Sequence, residues 1–196
     1  MKLSYLWIGL ISALISMPAM AKKVPFADAD FSAFAGDGPA TLDGEAFLRL
    51  QTGNIKTCAG ATVLLAPATE YDIHVAKSLI FNLDQALKQA GPAAKYWRET
   101  ECDAEGKFSF EDIPVGDWIV ITDVSFSVTD PNLVLQNLQR NGGLARQGTE
   151  GINAASQRHE GGLVGRKVTV TNKHNRVILT EKNLESASFF GTNWLK

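Results

Sequence analysis

Apolar and polar residues alternate along several short stretches of the chain, which is the pattern of strands that bury one face. The apolar side of residues 41–50 predicts a half-buried strand and consists of Leu42, Gly44, Ala46, Leu48 and Leu50. Phe47 is the one apolar residue on the opposite, polar side of this strand. The same alternation predicts further strands and a terminal hairpin, at 61–67, 107–111, 118–128, and 163–172 with 176–181.

Residues 101–122 hold two of these strands, and we interpret them as a β-hairpin. Residues 103–106 have turn chemistry, because Asp103 can accept local backbone hydrogen bonds and Gly106 tolerates a positive φ. Residues 114–117 form a second predicted turn. The strand that follows starts apolar on both sides, which predicts that it is buried on both faces.

The acidic residues of this stretch have an alternative interpretation as a catalytic or calcium-binding cluster, formed by Glu101, Asp103, Glu105, Glu111 and Asp112. Their spacing lacks the alternating acidic pattern and distal Glu of a calcium loop. An acid–base pair needs a pocket that raises one pKa, whereas turn carboxylates are usually solvated. The sequence therefore predicts no catalytic residue, no metal site and no cofactor.

The periodicity changes from two to that of a helix after residue 72. An apolar stripe predicts a helix over residues 73–90, and it consists of Ile73, Ala76, Ile80, Leu83 and Leu87. Gly91-Pro92 ends it. Residues 130–162 break the strand pattern again, with a short predicted helix whose apolar residues are Leu133, Leu135 and Leu138, followed by a polar, Gly-rich loop.

The first 21 residues have the anatomy of a secretory signal peptide: Lys2, an apolar run from Leu3 to Ile15, and a small-residue cleavage site that ends at Ala21. We expect a periplasmic or secreted protein after cleavage near Ala21. The apolar run is shorter than the ~20 residues of a membrane-spanning helix, which disfavours a retained anchor, and no later segment is predicted to span a membrane. Residues 22–40 are predicted to be an N-terminal arm held by Phe26, Phe31 and Phe34.

Composition and charge fit one globular domain. The chain is 45% hydrophobic and 20% charged, and its formal net charge of −2 argues against nucleic acid as a partner. Its two cysteines, Cys58 and Cys102, are expected to form a disulfide in an oxidising compartment, with two free thiols as the less favoured alternative. The three histidines show no spacing that would complete a metal site with the two thiols.

Residues 103–118 resemble the (D/N)-x-x-G-x-[FY]-x-[FL]-x-x-[VIL]-P-x-G-x-[YW] signature of carboxypeptidase regulatory-like domains. The matching residues are Asp103, Gly106, Phe108, Phe110, Ile113, Pro114, Gly116 and Trp118. Residues 41–54 and 60–69 resemble the first two strands of the same family. The resemblance implies a transthyretin-like (prealbumin-like) antiparallel β-sandwich over residues 41–182. The residue pattern adds to this sandwich one inserted helix in 72–99, a long loop and helix insertion at 130–162, and an aromatic tail at 183–196.

The family's usual domain lacks both insertions, and this chain lacks the H-x-x-E zinc motif of catalytic carboxypeptidase domains. It ends in Asn-Trp-Leu-Lys and not in the Tyr-Arg-Gly-Ser of the transthyretin-like purine hydrolase. A disulfide between the loop before the second strand and the start of the third would pin the ends of the helical excursion. The 101–122 stretch is then scaffold, and Cys102 is its covalent tie.

We therefore predict a non-enzymatic exported module that binds a protein or a cell-envelope component, of unknown oligomeric state. One alternative is a glycan or small-ligand binding protein with Trp97, Trp118 or Trp194 as stacking platforms; burial is expected for Trp118 and exposure for Trp97. Another is an envelope hydrolase that would use His159, Glu160, Asp123 and Ser125. The predicted ligand or partner contacts are Trp97, His159, Phe189, Phe190 and Trp194.

Overall fold

A computed structural model describes residues 24–50, 53–78, 83–129, 131–140, 157–180 and 182. Its strands are β1 (Ala40–Arg49), β2 (Ile55–Thr57), β3 (Thr62–Pro67), β4 (Arg98–Glu101), β5 (Lys107–Ile113), β6 (Gly116–Thr129), β7 (Gln157–Val170) and β8 (His174–Leu179). Its α-helices are α1 (Glu70–Ser78), α2 (Leu83–Ala90) and α3 (Pro131–Arg140), and two 3₁₀ segments cover Asp28–Phe34 and Gly91–Tyr96.

The strands form two sheets. In sheet I, β1 lies between β5, which is antiparallel to it, and β8, which is parallel to it, while β2 pairs with the end of β1. Sheet II has the order β4-β3-β6-β7 and is antiparallel throughout. The predicted antiparallel β-sandwich is confirmed.

The core between the sheets is built from the inward side of each alternating strand. Leu42, Ala46 and Leu48 of β1 are buried there, as the period of two predicts. Gly44 is the inward position between them, and the Phe108 ring occupies the space that a side chain would need: a Cβ added to Gly44 would lie 2.0 Å from that ring. The glycine of β1 is therefore a packing requirement of the core.

A second core lies on the far side of sheet II, where the helices pack. Leu64, Ile119 and Ile121 face Val75 and Ala86 there, in a cluster that has no member in common with the inter-sheet core. The prediction that the β6 segment is buried on both faces is confirmed. The helix predicted at 73–90 is confirmed at 73–78 in α1 and at 83–90 in α2, and residues 79–82 between them lie outside the described residues.

The hairpin predicted for residues 101–122 is wrong. β5 pairs with β1 in sheet I, whereas β6 pairs with β3 and β7 in sheet II, so the connection at 114–115 crosses from one sheet to the other. The terminal hairpin is wrong for the same reason, since β7 lies in sheet II and β8 in sheet I. Alternation shows which residues of a strand face the core. It does not show which sheet the strand belongs to, because the strands of both sheets point one side at the same core.

The predicted insertion at 130–162 is shorter than expected. Its helix is confirmed as α3, but β7 begins at Gln157, so 157–162 belong to a strand. Gly161 and Gly162 lower the strand propensity of this part of β7. Gly161 has a φ of 90°, and a Cβ there would lie 2.0 Å from the Val124 carbonyl oxygen. Strand propensity alone therefore could not detect it.

The arm before β1 is held by the three phenylalanines that the sequence singled out. Phe31 is buried and stacks on Tyr96 with ring centroids 4.9 Å apart, and Phe26 lies 5.1 Å from Phe31. Phe34 meets the buried ring of Trp118 edge-on at 5.0 Å. The arm therefore lies on the domain, as expected.

The disulfide between Cys58 and Cys102 is present and buried. Backbone hydrogen bonds from Gly60 to the Cys102 carbonyl and from Cys102 to the Ala61 carbonyl, both 3.0 Å, continue the β3–β4 pairing up to the bond. The chain between β3 and β4 contains α1 and α2, so the disulfide ties the base of the helical excursion, as predicted. The chain-entropy model assigns about 4 kcal/mol to this loop. Within the described residues, no helix is long and apolar enough to cross a membrane.

We expect Gly44→Ala to destabilise the protein by about 1–3 kcal/mol, because the new methyl group would overlap the Phe108 ring. Urea unfolding followed by circular dichroism measures the change. The matched control is the double variant Gly44→Ala/Phe108→Leu, which should cost less than the sum of the two single substitutions because the smaller side chain leaves room. An unchanged midpoint for Gly44→Ala would contradict this account.

Candidate functional site: a polar groove on the outer face of sheet I

The outer face of sheet I is the side of the sandwich that the α1 and α2 layer leaves uncovered, since that layer packs on sheet II. Its side chains come from alternate positions of three adjacent strands. β1 contributes Thr41, Asp43, Glu45 and Phe47; β5 contributes Lys107 and Ser109; β8 contributes His174, Arg176 and Ile178. All of them are half-buried or exposed.

The strand register arranges these side chains in rows across the sheet. Asp43 pairs with Ser109 on one side and with Arg176 on the other. Glu45 pairs with Lys107 and Ile178 in the next row. The face therefore carries alternating acidic and basic groups at the spacing of neighbouring strands, about 4.8 Å.

An open groove of about 480 Å³ runs over this face. The centre of sheet I forms its floor. Glu101 and Asp103, on either side of the disulfide-bonded Cys102 at the end of β4, form its wall at one end. The lining residues are Asp43, Gly44, Glu45, Glu101, Asp103, Lys107, Phe108, Ser109, His174 and Arg176. We call it the outer-face groove.

Asp43 is fixed at the centre of the groove by its two neighbours. Ser109 Oγ donates to Asp43 Oδ1 at 2.7 Å, and His174 Nε2 lies 2.9 Å from Asp43 Oδ2. A serine hydrolase needs its histidine between the nucleophile and the acid. Here the carboxylate lies between the serine and the histidine, so these three side chains hold one another in place without forming a nucleophile–base pair.

Glu101 and Lys107 are the unpaired charged groups of the groove. Each is exposed, and neither side chain makes a hydrogen bond or ion pair within the described residues. Arg176 and Glu45 approach only to 3.7 Å at an exposed position, which contributes little to stability. Both an acceptor and a donor are therefore free to hydrogen-bond a ligand that carries hydroxyl groups.

The groove offers no metal site within the part of the chain that the structure describes: no group of three or more His, Cys, Asp or Glu side chains is arranged to hold an ion there. The Asp103 carboxylate is engaged locally, because its Oδ1 accepts from the backbone N–H groups of Glu105 at 3.0 Å and Lys107 at 2.7 Å. This is the turn chemistry that the sequence predicted. It accounts for the position of Asp103 in the acidic stretch.

Trp97 is not the exposed residue that we expected. Its side chain is only 9% exposed, and it closes the second core between the helices and sheet II. The indole Nε1 donates to Asp72 Oδ1 at 3.1 Å, which satisfies its one polar atom away from solvent. The expectation of an exposed indole is wrong because the helical excursion folds back over it. Trp118 is fully buried, as expected.

The residues proposed for a hydrolase are spread along one edge of the β6–β7 pair. His159 is opposite Ser127 and Asp123 is opposite Leu163, which separates the two positions by four residues, or about 13 Å of strand. Ser125 Oγ donates to Asp123. His159 as a contact residue stays a prediction, and Phe189, Phe190 and Trp194 lie outside the described residues.

The groove itself was not predicted from the sequence. In the sequence, Asp43 and Ser109 lie on the polar sides of two separate predicted strands, and His174 lies between the two strands of the predicted terminal hairpin. The missing information is the parallel pairing of β1 with β8, which brings Thr41 opposite His174 across the sheet. The available signal was Phe47, an apolar residue on an otherwise polar side.

Asp72, the hydrogen-bond partner of Trp97, is a buried carboxyl group whose pKa is shifted. It is 1% exposed, and its Oδ2 has no hydrogen-bond partner among the described residues. Burial raises the pKa of Asp72 to about 7, against the opposing effect of hydrogen bonds from Trp97 and Thr69. Because it belongs to the second core, it affects the stability of the helical layer and does not line the groove.

Comparison with solved structures shows a similarity of fold. No protein-family model matches the chain, and no curated protein matches its sequence. The fold is similar to the crystal structure of a proposed carbohydrate binding protein from Pseudomonas aeruginosa, with a TM-score of 0.57 at 20% sequence identity. The match covers 82% of this chain and 100% of the other. At that identity the similarity is one of fold.

We expect the Asp72→Asn variant to lose a pH dependence that the natural protein has. Because the pKa of Asp72 rises from 3.8 to about 7 on folding, its contribution to stability is fully present below about pH 4 and is lost as the pH rises through about 7. Asn cannot titrate, so the variant should be more stable than the natural protein at pH 8, by at most about 4 kcal/mol.

Urea unfolding at pH 5 and pH 8 measures this difference. Asp30→Asn, which removes an exposed carboxylate from the N-terminal arm, is the matched control and should leave the pH profile unchanged. Parallel pH profiles for the natural protein and Asp72→Asn would show that Asp72 does not titrate in this range.

Proposed function

We propose that this protein is an exported, non-enzymatic binding module of the carboxypeptidase regulatory-like, transthyretin-like kind, and that its outer-face groove binds carbohydrate. The observation that carries the proposal is a groove in which the central carboxylate is already fixed, while Glu101 and Lys107 have no side-chain partner among the residues that the structure describes. A site of this kind is preorganised at its centre and has free donors and acceptors at its rim.

Carbohydrate is the ligand class that fits these groups best. Sugar hydroxyls both donate and accept, so one ligand can satisfy a free carboxylate and a free ammonium group without being charged itself. The groove carries both signs of charge: Glu45 and Glu101 against Lys107 and Arg176. A strongly anionic or cationic ligand would meet like charge somewhere along it. The proposed activity of the Pseudomonas aeruginosa protein supports the same ligand class.

The absence of catalysis rests on the arrangement of the polar groups. The Ser109 hydroxyl and the His174 ring both contact Asp43, which leaves no base in contact with a nucleophile. The groove is also wide open, so it does not exclude water from a reacting bond. Such a surface binds and releases its ligand unchanged.

Export is supported by the signal-peptide anatomy of residues 1–21 and by the buried disulfide. Disulfides persist in the periplasm and outside the cell, whereas cytosolic thiols are kept reduced. The periplasm is therefore the compartment in which we place the binding activity. A secreted protein would share these features, and cell fractionation separates the two locations.

The test is titration of the mature protein with soluble glucan, chitin and peptidoglycan oligosaccharides, followed by calorimetry and by NMR chemical-shift changes. We expect binding to at least one class, with shifts that map to the groove. Glu101→Gln and Lys107→Met should each weaken binding by roughly tenfold to a hundredfold, because a hydrogen bond to a charged group contributes about 1.5–3 kcal/mol.

The matched control is Glu111→Gln, an exposed carboxylate on the same strand β5 that does not line the groove. Its affinity should equal that of the natural protein. The groove proposal is wrong if all three variants bind alike, or if the shifts map to α3 or the N-terminal arm.

A protein partner in the envelope is the second candidate, and the exposure of α3 favours it. Leu135 of this helix is a large apolar residue that is 58% exposed. We expect Leu135→Ser and a replacement of residues 131–156 by a Gly/Ser linker to lose the same protein from envelope pull-downs. If the natural protein and both variants capture the same envelope proteins, residues 131–156 are not the partner-binding surface.

A further inference from the structure

Phe47 is a large aromatic residue on the polar side of sheet I. Its neighbours in sequence, Ala46 and Leu48, are buried in the inter-sheet core, whereas the Phe47 ring points the opposite way and is partly exposed. It belongs to neither of the two hydrophobic cores. The packing of the domain therefore does not account for an aromatic side chain at this position.

The ring is in line with the polar groups of the groove. Asp43, Glu45 and Phe47 are alternate residues of β1 on the same face, so Phe47 stands four positions beyond Asp43. At about 3.3 Å per residue, the two side chains leave the sheet about 13 Å apart. That distance is longer than one sugar ring, so a single sugar at Asp43 cannot also cover Phe47.

The surroundings of the ring are polar on one side and apolar on the other. The Arg49 guanidinium lies 5.9 Å from the ring centroid, a cation–π contact on the same face of β1. Phe47 pairs with Thr57 and Arg49 with Ile55, which is 52% exposed. The Arg49 guanidinium, a charged hydrogen-bond donor, therefore lies beside the Phe47 ring. The exposed apolar side chain of Ile55 lies opposite Arg49.

We propose that Phe47 is a stacking platform at the far end of the outer-face groove, and that the ligand is therefore an oligosaccharide of at least two units lying along β1. A pyranose ring has an apolar face of C–H groups that packs on an aromatic ring, while its hydroxyls remain at the edge. Arg49 donates to those hydroxyls. This inference rests on the proposed carbohydrate-binding function and adds the length and direction of the ligand.

The alternative is that Phe47 only stabilises the β1–β2 pairing, since an aromatic residue opposite Thr57 is a favourable cross-strand pair. That role predicts a loss of stability on substitution and no dependence of affinity on ligand length. Stacking predicts the opposite pattern, so the two roles separate in one set of measurements.

The experiment uses the mature protein and a length series, from monosaccharide to hexasaccharide, of the class that binds it. For the natural protein, affinity should rise by about threefold to tenfold once the chain is long enough to reach Phe47. Phe47→Leu should abolish that rise and leave monosaccharide affinity unchanged, whereas Phe47→Tyr should preserve it. Ile178→Val, on the same face beside Glu45, is the matched control and should preserve it too.

Unfolding midpoints of all four proteins show whether a variant has lost stability, and NMR signals of the Phe47 ring give a second readout that does not require a variant. These signals should shift with the long oligosaccharides and not with the monosaccharide. Equal affinity across the length series, or a rise that survives in Phe47→Leu, would overturn the platform while leaving the groove intact. Failure of every sugar to bind the natural protein would overturn the proposed function as well.

Discussion

Burial of sheet II on both faces is the constraint that places the outer-face groove on sheet I. One face packs against sheet I and the other against α1 and α2, so β3 and β6 are apolar at consecutive positions. With sheet II enclosed in this way, sheet I is the sheet that keeps an uncovered face within the described part of the chain. The outer-face groove lies on that face, where β1 alternates buried and half-buried residues.

Two features connect this frame to the groove. The disulfide holds the end of β4, and the next residues, from which Asp103 projects, become the groove wall. The Phe108 ring of β5 packs over Gly44 of β1 on the core side, while Ser109 and Asp43 of the same two strands meet on the outer face. The two strands thus carry a core contact on one face and a contact within the groove on the other.

The sequence predicted those parts of the fold that depend on neighbours along the chain. The period of two in residues 41–50 identified which side chains of β1 are buried, and residues 103–106 form the expected turn because the Asp103 carboxylate accepts two backbone bonds. Pairing partners could not be predicted in the same way. β5 and β6 are adjacent in sequence and both alternate, yet they belong to different sheets, because periodicity contains no information on which sheet a strand joins.

The candidate site was hidden for the same reason. Asp43, Ser109 and His174 come from three strands, and the contact between the first and last of them exists only through the parallel pairing of β1 with β8. Trp97 was misjudged because aromatic residues in an apparent loop suggest exposure, whereas the excursion folds back and buries the indole against Asp72. Phe47 was visible from the start as an exception to a pattern. Residues that break the local sequence pattern are expected at functional sites, because function can require a side chain that the local structure does not favour.

The pairing of β8 with β1 also has a consequence for how the outer-face groove forms. The Asn175 side-chain amide donates a hydrogen bond to the Thr41 carbonyl, although the two residues are 134 positions apart in sequence. Sheet I is therefore complete only after the last strand of the domain has paired with the first. Contacts between such distant segments form slowly, because the intervening chain must first be ordered. Until β8 has paired, sheet I lacks its third strand and Asp43 lacks the neighbouring His174. Under the proposed function, the outer-face groove can therefore bind only after the last strand of the domain has joined the first.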